Sequence, residues 1–557
     1  MKESSAVLII GAGIAGICTA IELLDHNQSV LLIDRDNEDK MGGMANEAFG
    51  GMLFVDSPLQ RANGINDSKQ LALDDWMGAA EFPVNDDNQH AKAWAHTYIE
   101  RNMEDIYDWL TGFGLRFFPV VHWVERGDYG FQHGSRGNSV PRYHVAWGTG
   151  WEVTQTLIKV LLNHKNKDKL TIKYQHKVES IVFDQGRVVG CRGTKERAIS
   201  GGVAQKKPES FEIESDHVVI CAGGLNGNLK QVERHWDTQC YGPYPTNILA
   251  GSHPYANGQL HDDVERQGGS VKNRGWMWNY ATGVKHPKPE YDNHGLSIMP
   301  ARSSLWLDAL GNRIGPMPLV TGFDTHNLCK VTGHLPEQYT WQLLNLKIAR
   351  KELAVSGSHI NKAFCNKSWF GVIKMALLGN RDIVQMLIDE CDDVAVADTL
   401  AELVAKMNDS SAGQYQSQVE LHNVQRDVDA CDGQLDRSEK FVTDDQIRRV
   451  EFLRKWRGDK VRTLKRQKIL DAKAGPLMAI RSRIISRKSM GGFETNVASQ
   501  VLNSQGAVIE GLYAAGEAAG FGGAGCAGVR SLEGTFLSSC ILNGRIAGQT
   551  IASLINK

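Results

Sequence analysis

The chain has 557 residues, of which 42% are hydrophobic, and its formal net charge is −2. This length exceeds a single hydrophobic core, so about two or three structural units are expected. The balanced charge excludes the basic composition of a nucleic-acid-binding protein, and the lack of a long apolar run predicts no integral membrane segment.

The cysteine pattern and the position of the first motif indicate the redox state of the thiols and the cellular location of the protein. Ten cysteines are scattered without a C-x-x-C pair or a haem attachment motif, so no metal, haem or iron–sulfur site is predicted. Reduced thiols are typical of a cytoplasmic protein. The first motif begins at residue 7, which leaves no room for a signal peptide and favours the same location.

Segment 7–34 has the pattern of a dinucleotide-binding βαβ unit. A β-branched run is followed by G-x-G-x-x-G, by helical spacing, and by a second apolar run that ends in an acid. The glycines allow a tight turn, close approach of a pyrophosphate and close helix packing, while the helix N-terminus faces the phosphates. The acid is placed to bind a ribose hydroxyl. The predicted nucleotide contacts are Gly11, Gly13, Ile14, Ala15, Gly16, Asp34 and Arg35.

Further glycine-rich segments follow this unit. The loop 42–51 is typical of backbone that runs along a ligand, and a flexible loop is the alternative. Residues 171–189 alternate like a β-hairpin that turns at 184–186. Residues 217–224 form a buried strand that ends in two glycines. The candidate contacts in these segments are Gly42, Gly43, Met44, Asn46, Gly50, Gly51, Val178, Ala222, Gly223 and Gly224.

The composition changes between residues 256 and 485. Residues 276–308 are aromatic and strand-like, 336–408 have helical periodicity, and 444–474 are interpreted as a basic helix with a solvated face. Glycine-rich strand character then returns. We therefore predict an α/β protein with a Rossmann-like domain formed by 1–255 and 486–557. An inserted α+β capping domain, rich in helices, covers 256–485, and the cleft between the two is the expected ligand site.

Four segments together resemble the flavoprotein superfamily of fumarate reductases, succinate dehydrogenases and 3-ketosteroid dehydrogenases. They are VLIIGAGIAG at 7–16, VVICAGG at 218–224, GLYAAGE at 511–517 and GRIAG at 544–548. The resemblance implies a glutathione-reductase-type domain that binds FAD. No segment resembles the one that carries the FAD-linking histidine of membrane-bound succinate dehydrogenases, so the cofactor is expected to be held without a covalent link. An NAD dehydrogenase needs none of the later segments. The resemblance adds FAD contacts by Gly516, Glu517, Arg530, Ser531 and Leu532.

The bacterial subgroup named FAD-binding dehydrogenase, or ketosteroid dehydrogenase-like, is most similar. Its marks are the segments 54–58, 138–142, 147–150 and 530–535, together with His144.

Fumarate reductases provide landmarks for the substrate site. His253 in SHPYANG stands where the family has a carboxylate-binding histidine, and Arg530 in AGVR stands where it has a carboxylate-clamping arginine. Lys488 replaces a second substrate histidine. Thr321 falls where the proton-donating arginine is expected, which argues against a fumarate reductase. The tyrosine that ketosteroid dehydrogenases carry after the AAG segment is also absent from 521–526.

These residues predict an FAD-dependent oxidoreductase that dehydrogenates or reduces a C–C bond α,β to a carbonyl or carboxylate, with hydride exchanged with flavin N5. Arg530 is assigned to stabilise charge on the substrate oxygen. Tyr143, His144 and Lys488 are the candidates for proton transfer.

Two alternatives stay open. The first is a 3-ketosteroid 1-dehydrogenase-like desaturase, whose apolar slot could be lined by an aromatic cluster. The second is a flavin-binding protein without turnover. The substrate is a small molecule, and the electron donor or acceptor is not indicated. The aromatic cluster comprises Trp276, Trp278, Tyr280 and Trp306.

Overall fold

The computed structural model describes residues 2–84, 88–127, 137–196, 209–315 and 317–556. Its nucleotide-binding part is built on a six-stranded sheet, five strands of which are parallel. The continuous apolar runs of the sequence form strands that are buried on both faces, as parallel strands require. In spatial order the strands are Gln500–Leu502, Val508–Ala514, His217–Ile220, Val7–Ile10, Val30–Ile33 and Leu170–Lys173.

Alternate residues of these strands enter two separate cores. Val7 and Ile9 pack with the helices Ile14–Asp25 and Thr535–Ile555 on one face. Leu8 and Ile10 pack on the other face against a four-stranded sheet. This alternation follows from the two-residue period of a strand. The strands of the second sheet are Lys2–Ser4, Glu209–Glu214, Arg187–Lys195 and His176–Asp184.

The predicted hairpin is confirmed in its turn and corrected in its first strand. His176–Asp184 pairs antiparallel with Arg187–Lys195, and the connecting residues Gln185 and Gly186 have φ of 48° and 83°. Positive φ at both positions is the geometry of a tight hairpin turn. Residues 171–173 belong instead to Leu170–Lys173, a strand of the six-stranded sheet.

The second part is a mixed sheet organised around Leu477–Ser489, a strand of 13 residues. Tyr339–Asn345 pairs with it in continuous antiparallel register and is buried throughout. This strand lies inside 336–408, where helical periodicity was predicted, and burial on both faces explains why its polarity does not alternate. The other strands of the sheet are Leu249–Ala250, Met277–Lys285, Gly295–Met299, Leu305–Leu307, Ala354–Val355 and Val394–Ala397.

Helices surround both sheets, and most of those in the second part follow residue 324. The basic segment 444–474 holds the two short helices Asp445–Leu453 and Arg457–Val461, so the single helix predicted there is wrong. The remaining α-helices are Pro58–Ala62, Lys69–Ala80, Gln89–Asn102, Trp109–Gly112, Thr149–Leu162, Leu229–Arg234, Thr238–Tyr241, Gln259–Arg266, Thr325–Gly333, Leu346–Glu352, Lys362–Cys365, Trp369–Leu378, Arg381–Glu390, Leu400–Ser411 and Leu421–Leu435.

The predicted α/β architecture, with a helix-rich α+β insertion, is confirmed. The exact division into 1–255 plus 486–557 and 256–485 stays a proposal, since Leu477–Ser489 runs across residue 486. Over the ranges given above, no helix is both long and apolar enough to span a bilayer. The same residues contain no group of three metal-ligating side chains poised around one point.

Candidate active site

A cavity of about 520 Å³ lies between the nucleotide-binding sheet and the capping sheet. Its wall brings together most of the candidate residues, although they come from distant parts of the sequence. The candidates that line it are Gly11, Gly13, Ile14, Ala15, Asp34, Arg35, Gly42, Gly43, Met44, Gly50, Gly51, Tyr143, Val178, Ala222, Gly223, Gly224, His253, Lys488, Gly516 and Glu517.

The end of the cavity beside Gly13 fits a pyrophosphate. Gly13 is the N-cap of helix Ile14–Asp25, which has no capping side chain and no acid in its first turn. A Cβ on Gly13 would meet no atom within 4 Å, whereas a Cβ on Gly11 would lie 2.4 Å from the Cys221 carbonyl oxygen. The free N–H groups of the helix therefore face open space next to a backbone that only glycine permits.

Asp34 lies in the same wall and is fixed by backbone hydrogen bonds. Its Oδ2 accepts a hydrogen bond from the Ala12 N–H at 2.5 Å and its Oδ1 accepts one from the Asp36 N–H at 2.7 Å. Burial raises the pKa of this carboxyl, and the two hydrogen bonds oppose that shift. Its position at the end of Val30–Ile33 fits the predicted ribose contact.

His253 lies at this nucleotide end. Its Nε2 is 3.2 Å from Asp36 Oδ2, and its Nδ1 accepts a hydrogen bond from the Tyr255 N–H. The Arg35 guanidinium lies 4.0 Å from the centre of the Tyr255 ring. These contacts place His253 with the nucleotide-binding residues, whereas the sequence predicted a substrate contact for it.

Glu517 and Lys488 meet where the long strand of the capping sheet reaches the nucleotide-binding part. The Ser489 N–H donates to Glu517 Oε1 at 2.9 Å, and burial raises the pKa of Glu517 to about 7. The Lys488 Nζ lies 4.2 Å from the centre of the Phe536 ring, and burial lowers the pKa of this ammonium. Both groups line the cavity.

Six candidates lie outside the cavity wall, and two of these were predicted to be catalytic. His144 is buried, with Nε2 bonded to Ser57 Oγ and Nδ1 to the Arg142 carbonyl, both at 2.7 Å. Arg530 donates to Asp324 Oδ2 at 2.5 Å and to Glu81 Oε1 at 3.0 Å. The protein itself therefore provides partners for both side chains. The six residues are Gly16, Asn46, His144, Arg530, Ser531 and Leu532.

Tyr143 enters the cavity beside one of the predicted flavin-loop glycines. A Cβ on Gly51 would lie 2.0 Å from the Tyr143 hydroxyl oxygen, so only glycine leaves room for this ring. The hydroxyl makes no hydrogen bond to any residue in the described ranges. Burial raises the pKa of the phenol, the charge of Glu533 raises it further and that of Arg462 lowers it. Tyr143 is thus a neutral, available hydrogen-bond donor at neutral pH.

Glu125 also lines the cavity and has a carboxyl that titrates near neutrality. Burial raises its pKa to about 8, and the nearby charge of Asp324 adds to the shift. Its oxygens accept hydrogen bonds from the Thr325 N–H and hydroxyl groups. The backbone of Glu125 has φ of +50°, a strained conformation for a residue with a side chain. Raised pKa and backbone strain together are typical of functional positions.

Glu533 lines the cavity and is held by the capping-sheet strand Met277–Lys285. Its carboxylate accepts hydrogen bonds from the Trp278 indole N–H at 2.8 Å and from the Tyr280 hydroxyl at 3.0 Å. Arg462 lines the cavity nearby and forms no ion pair with a described residue. Burial lowers the pKa of Arg462 to about 10, so the guanidinium stays charged at neutral pH.

Three residues of the cavity wall were not predicted from the sequence, namely Glu125, Arg462 and Glu533. Glu533 belongs to the quoted segment 530–535, so the motif pointed to the correct segment but emphasised Arg530. Arg462 was included in the basic segment that was interpreted as solvated. Glu125 lies in a stretch without a recognised motif, and no local signal indicated it.

Comparisons with known proteins place this geometry in a family. The sequence profile described as "FAD binding domain" matches residues 6–537. A KsdD-like steroid dehydrogenase of Mycobacterium tuberculosis is 37% identical over 553 residues, which cover 98% of this chain and 95% of the relative.

Solved structures agree with this assignment at the level of the fold. The open conformation of a flavocytochrome c3 fumarate reductase has a TM-score of 0.68 at 18% identity, covering 99% of this chain and 78% of that one. A 3-ketosteroid Δ1-dehydrogenase from Sterolibacterium denitrificans, in complex with 1,4-androstadiene-3,17-dione, has a TM-score of 0.66 at 15% identity. It covers 99% of this chain and 100% of that one. The resemblance predicted from the sequence is confirmed.

Proposed function

Because the chain belongs to the FAD binding domain family, we propose that this FAD-dependent oxidoreductase introduces or removes a carbon–carbon double bond beside the ketone of a steroid-sized apolar molecule. The name of the 37% identical relative supports a steroid, since the two chains align over nearly their whole lengths. When bound, FAD would supply the hydride-transfer chemistry. The residues of the chain bind the substrate, polarise its carbonyl and move a proton.

The position of Arg530 is the observation that carries the choice of a ketone over a dicarboxylate. In a fumarate-type site this arginine would clamp a carboxylate, but here Asp324 and Glu81 bind its guanidinium outside the cavity wall. Much of the wall beyond the glycine loops is instead aliphatic or aromatic, as an apolar skeleton requires. Residues of this surface include Phe49, Val124, Val145, Met299, Leu328, Phe364 and Met375.

The aromatic cluster proposed from the sequence contributes one residue to this surface. Tyr280 lines the cavity, and its hydroxyl is bonded to Glu533. Trp278 is buried and donates its indole N–H to the same carboxylate. Trp278 therefore holds Glu533 in position without lining the cavity itself. The apolar slot is formed mainly by other side chains.

Tyr143 and Arg462 are the groups that we assign to polarise the substrate carbonyl. Negative charge develops on that oxygen when the neighbouring carbon loses a proton, and a neutral phenol or a cation stabilises it. Both side chains line the cavity, and the charge of Arg462 acts on the Tyr143 phenol. The Tyr143 hydroxyl next to Gly51 places this donor at the predicted flavin loop.

Glu125 is the group that we assign to proton transfer. A carboxyl with a pKa of about 8 gives up and accepts protons near neutral pH, which suits a general acid–base group. Its hydrogen bonds to Thr325 fix the orientation of the carboxyl. In dehydrogenation the ionised form would remove the proton from carbon, and in reduction the neutral form would return it.

An anaerobic flavin assay tests the proposal. The purified holoprotein is mixed with saturated 3-ketosteroids, with simple ketones and with succinate, and the visible flavin absorbance is followed. Bleaching by the ketosteroids alone is the expected result. Dithionite-reduced protein should likewise be reoxidised by unsaturated 3-ketosteroids and not by fumarate. Turnover of the dicarboxylates in place of the steroids would overturn the substrate assignment. Bound flavin that reacts with no organic partner would indicate a flavin-binding protein without turnover.

A further inference from the structure

Helix Trp369–Leu378 presents an apolar face to solvent. The side chains of this face recur along one side of the helix, and Phe370 and Leu377 are 79% and 76% exposed. Large apolar side chains clustered on one surface helix are unusual in a protein without a partner there. The exposed side chains are Trp369, Phe370, Ile373, Leu377 and Leu378.

The opposite side of this helix is anchored next to the cavity. Val372 is buried in a small core with Trp147. At the edge of the exposed face, the Trp369 ring lies 4.6 Å from the Trp147 ring, centre to centre. Met375 lines the cavity itself, together with Phe364 from the preceding short helix. The exposed face and the cavity wall are therefore two sides of a single ten-residue helix.

Exposed basic residues lie within helix Trp369–Leu378 and on both sides of it in the sequence. Lys374 is exposed within the helix itself, and residues 360–385 contain four basic residues against the single acid Asp382. Lys367 is paired with Glu152 at 2.8 Å, so the local excess of positive charge comes mainly from the others. An apolar face on a helix with basic residues within and beside it complements the anionic headgroups of a bilayer. The four basic residues are Lys362, Lys367, Lys374 and Arg381.

We propose that helix Trp369–Leu378 lies in the headgroup layer of an anionic membrane, with its apolar face inserted and the adjoining cavity wall facing the bilayer. A helix of ten residues is too short to span a membrane, but in-plane insertion requires only one apolar face. A tryptophan at the edge of the face suits the boundary between lipid and water. Lysine, by contrast, is depleted at protein–protein interfaces, so the lysines within and beside this helix favour lipid over a protein partner.

Flotation of the full-length holoprotein with lipid vesicles tests this binding without any substrate, so its outcome is separate from that of the flavin assay. We expect the protein to float with vesicles of phosphatidylcholine and phosphatidylglycerol, and far less with phosphatidylcholine alone. The double substitution Phe370→Ser, Leu377→Ser should weaken binding about tenfold or more, because both apolar side chains lose their burial in lipid. Lys374→Glu should weaken it about fivefold on the anionic vesicles.

Phe441→Ser is the matched control, since Phe441 is 70% exposed in a separate segment and should not contact the lipid. Its variant should float like the wild type. Failure of the wild-type protein to float, or equal flotation of the Phe370→Ser, Leu377→Ser variant, would overturn the proposal. Size-exclusion chromatography supplies the remaining outcome. A wild-type dimer that the double substitution converts to a monomer, without any flotation, would assign the face to a second copy of the chain.

Discussion

The catalytic role proposed for Tyr143 can be tested without disturbing the stability of the protein. Replacement by Phe removes a hydroxyl that no described residue binds, so the thermal midpoint and the bound-flavin spectrum should stay unchanged. The rate of flavin reduction by a 3-ketosteroid should fall about 10²–10³-fold, because a hydrogen-bond donor to the developing oxyanion is lost. Rapid-mixing absorbance measures this rate.

Tyr241→Phe is the control for that variant. Tyr241 is buried, and its hydroxyl bonds to His326 Nδ1 at 3.1 Å away from the described cavity wall. Its loss should lower the free energy of unfolding by about 1 kcal/mol and leave the rate unchanged. If Tyr143→Phe also keeps the full rate, Tyr143 has no part in the chemistry.

Glu125 gives the reaction a pH dependence whose sign follows from its raised pKa. Below about pH 8 the carboxyl is protonated and cannot accept a proton, so kcat/KM for dehydrogenation should rise with pH and level off above about 8. The reductive direction should show the opposite trend. Glu125→Gln should lower the rate about 10²–10⁴-fold and abolish this ionisation from the profile.

Glu352→Gln tests whether loss of any buried carboxyl would do the same. Glu352 is buried and accepts hydrogen bonds from Ser303 and Leu464, but it does not line the cavity. Its variant should keep the pH profile of the wild type. An unchanged profile in Glu125→Gln would assign the ionisation to another group.

The segments that form the cavity wall were easier to predict from the sequence than the individual side chains that act there. The glycine loops were predictable because the backbone of a nucleotide site tolerates few other residues. Arg530 was predicted to contact the substrate, but it binds Asp324, which lies 206 positions away, and no local spacing indicates that contact. The role assigned to Glu125 depends on the burial that raises its pKa and on its positive φ, and neither can be predicted from one sequence.

The start of helix Ile14–Asp25 is the element on which nucleotide binding depends most directly. Gly13→Ala adds a methyl group that meets no protein atom within 4 Å, so the stability of the apoprotein should change by no more than about 1 kcal/mol. The methyl group would occupy the space predicted for the pyrophosphate. We therefore expect the affinity for FAD to fall about tenfold or more, as measured by titrating the apoprotein and following flavin fluorescence.

Gly112→Ala adds a methyl group with equally open surroundings in helix Trp109–Gly112, outside the described cavity wall. The affinity of the Gly112→Ala variant for FAD should equal that of the wild type. Unchanged affinity in Gly13→Ala would mean that the pyrophosphate lies elsewhere in the cavity.

Among the elements, those specified by local contacts were predicted best. The first βαβ unit and the tight turn at 185–186 combine residues close in sequence, and both are present. Tyr339–Asn345 was missed because its partner Leu477–Ser489 follows more than a hundred residues later. Since both faces of that strand are buried, its sequence lacks the alternation that identifies a half-exposed strand.

In the whole molecule, the two parts meet at the cavity through a few buried polar contacts. The Ser489 hydroxyl, at the end of the capping-sheet strand, accepts a hydrogen bond from the Leu225 N–H, and the Ser489 N–H donates to Glu517. The end of the strand therefore holds Arg487 and Lys488 at the cavity wall. Displacement of the capping sheet would move these cations relative to the glycine loops.

Substitution of Asp459 provides the strongest test of the contacts between the nucleotide-binding part and the capping part. Its buried carboxylate binds Arg126 of the nucleotide-binding part and also accepts a hydrogen bond from Arg302 at 2.5 Å. Asp459→Asn leaves the buried Arg126 and the largely buried Arg302 without their counter-charge, so the free energy of unfolding should fall by about 3–5 kcal/mol. Chemical denaturation followed by circular dichroism and flavin release should show both transitions at lower denaturant.

Glu100→Gln is the control, because it breaks the exposed ion pair with Lys69 and should lower the free energy of unfolding by less than about 1 kcal/mol. Equal losses in the two variants would mean that the Asp459 network does not hold the two parts together.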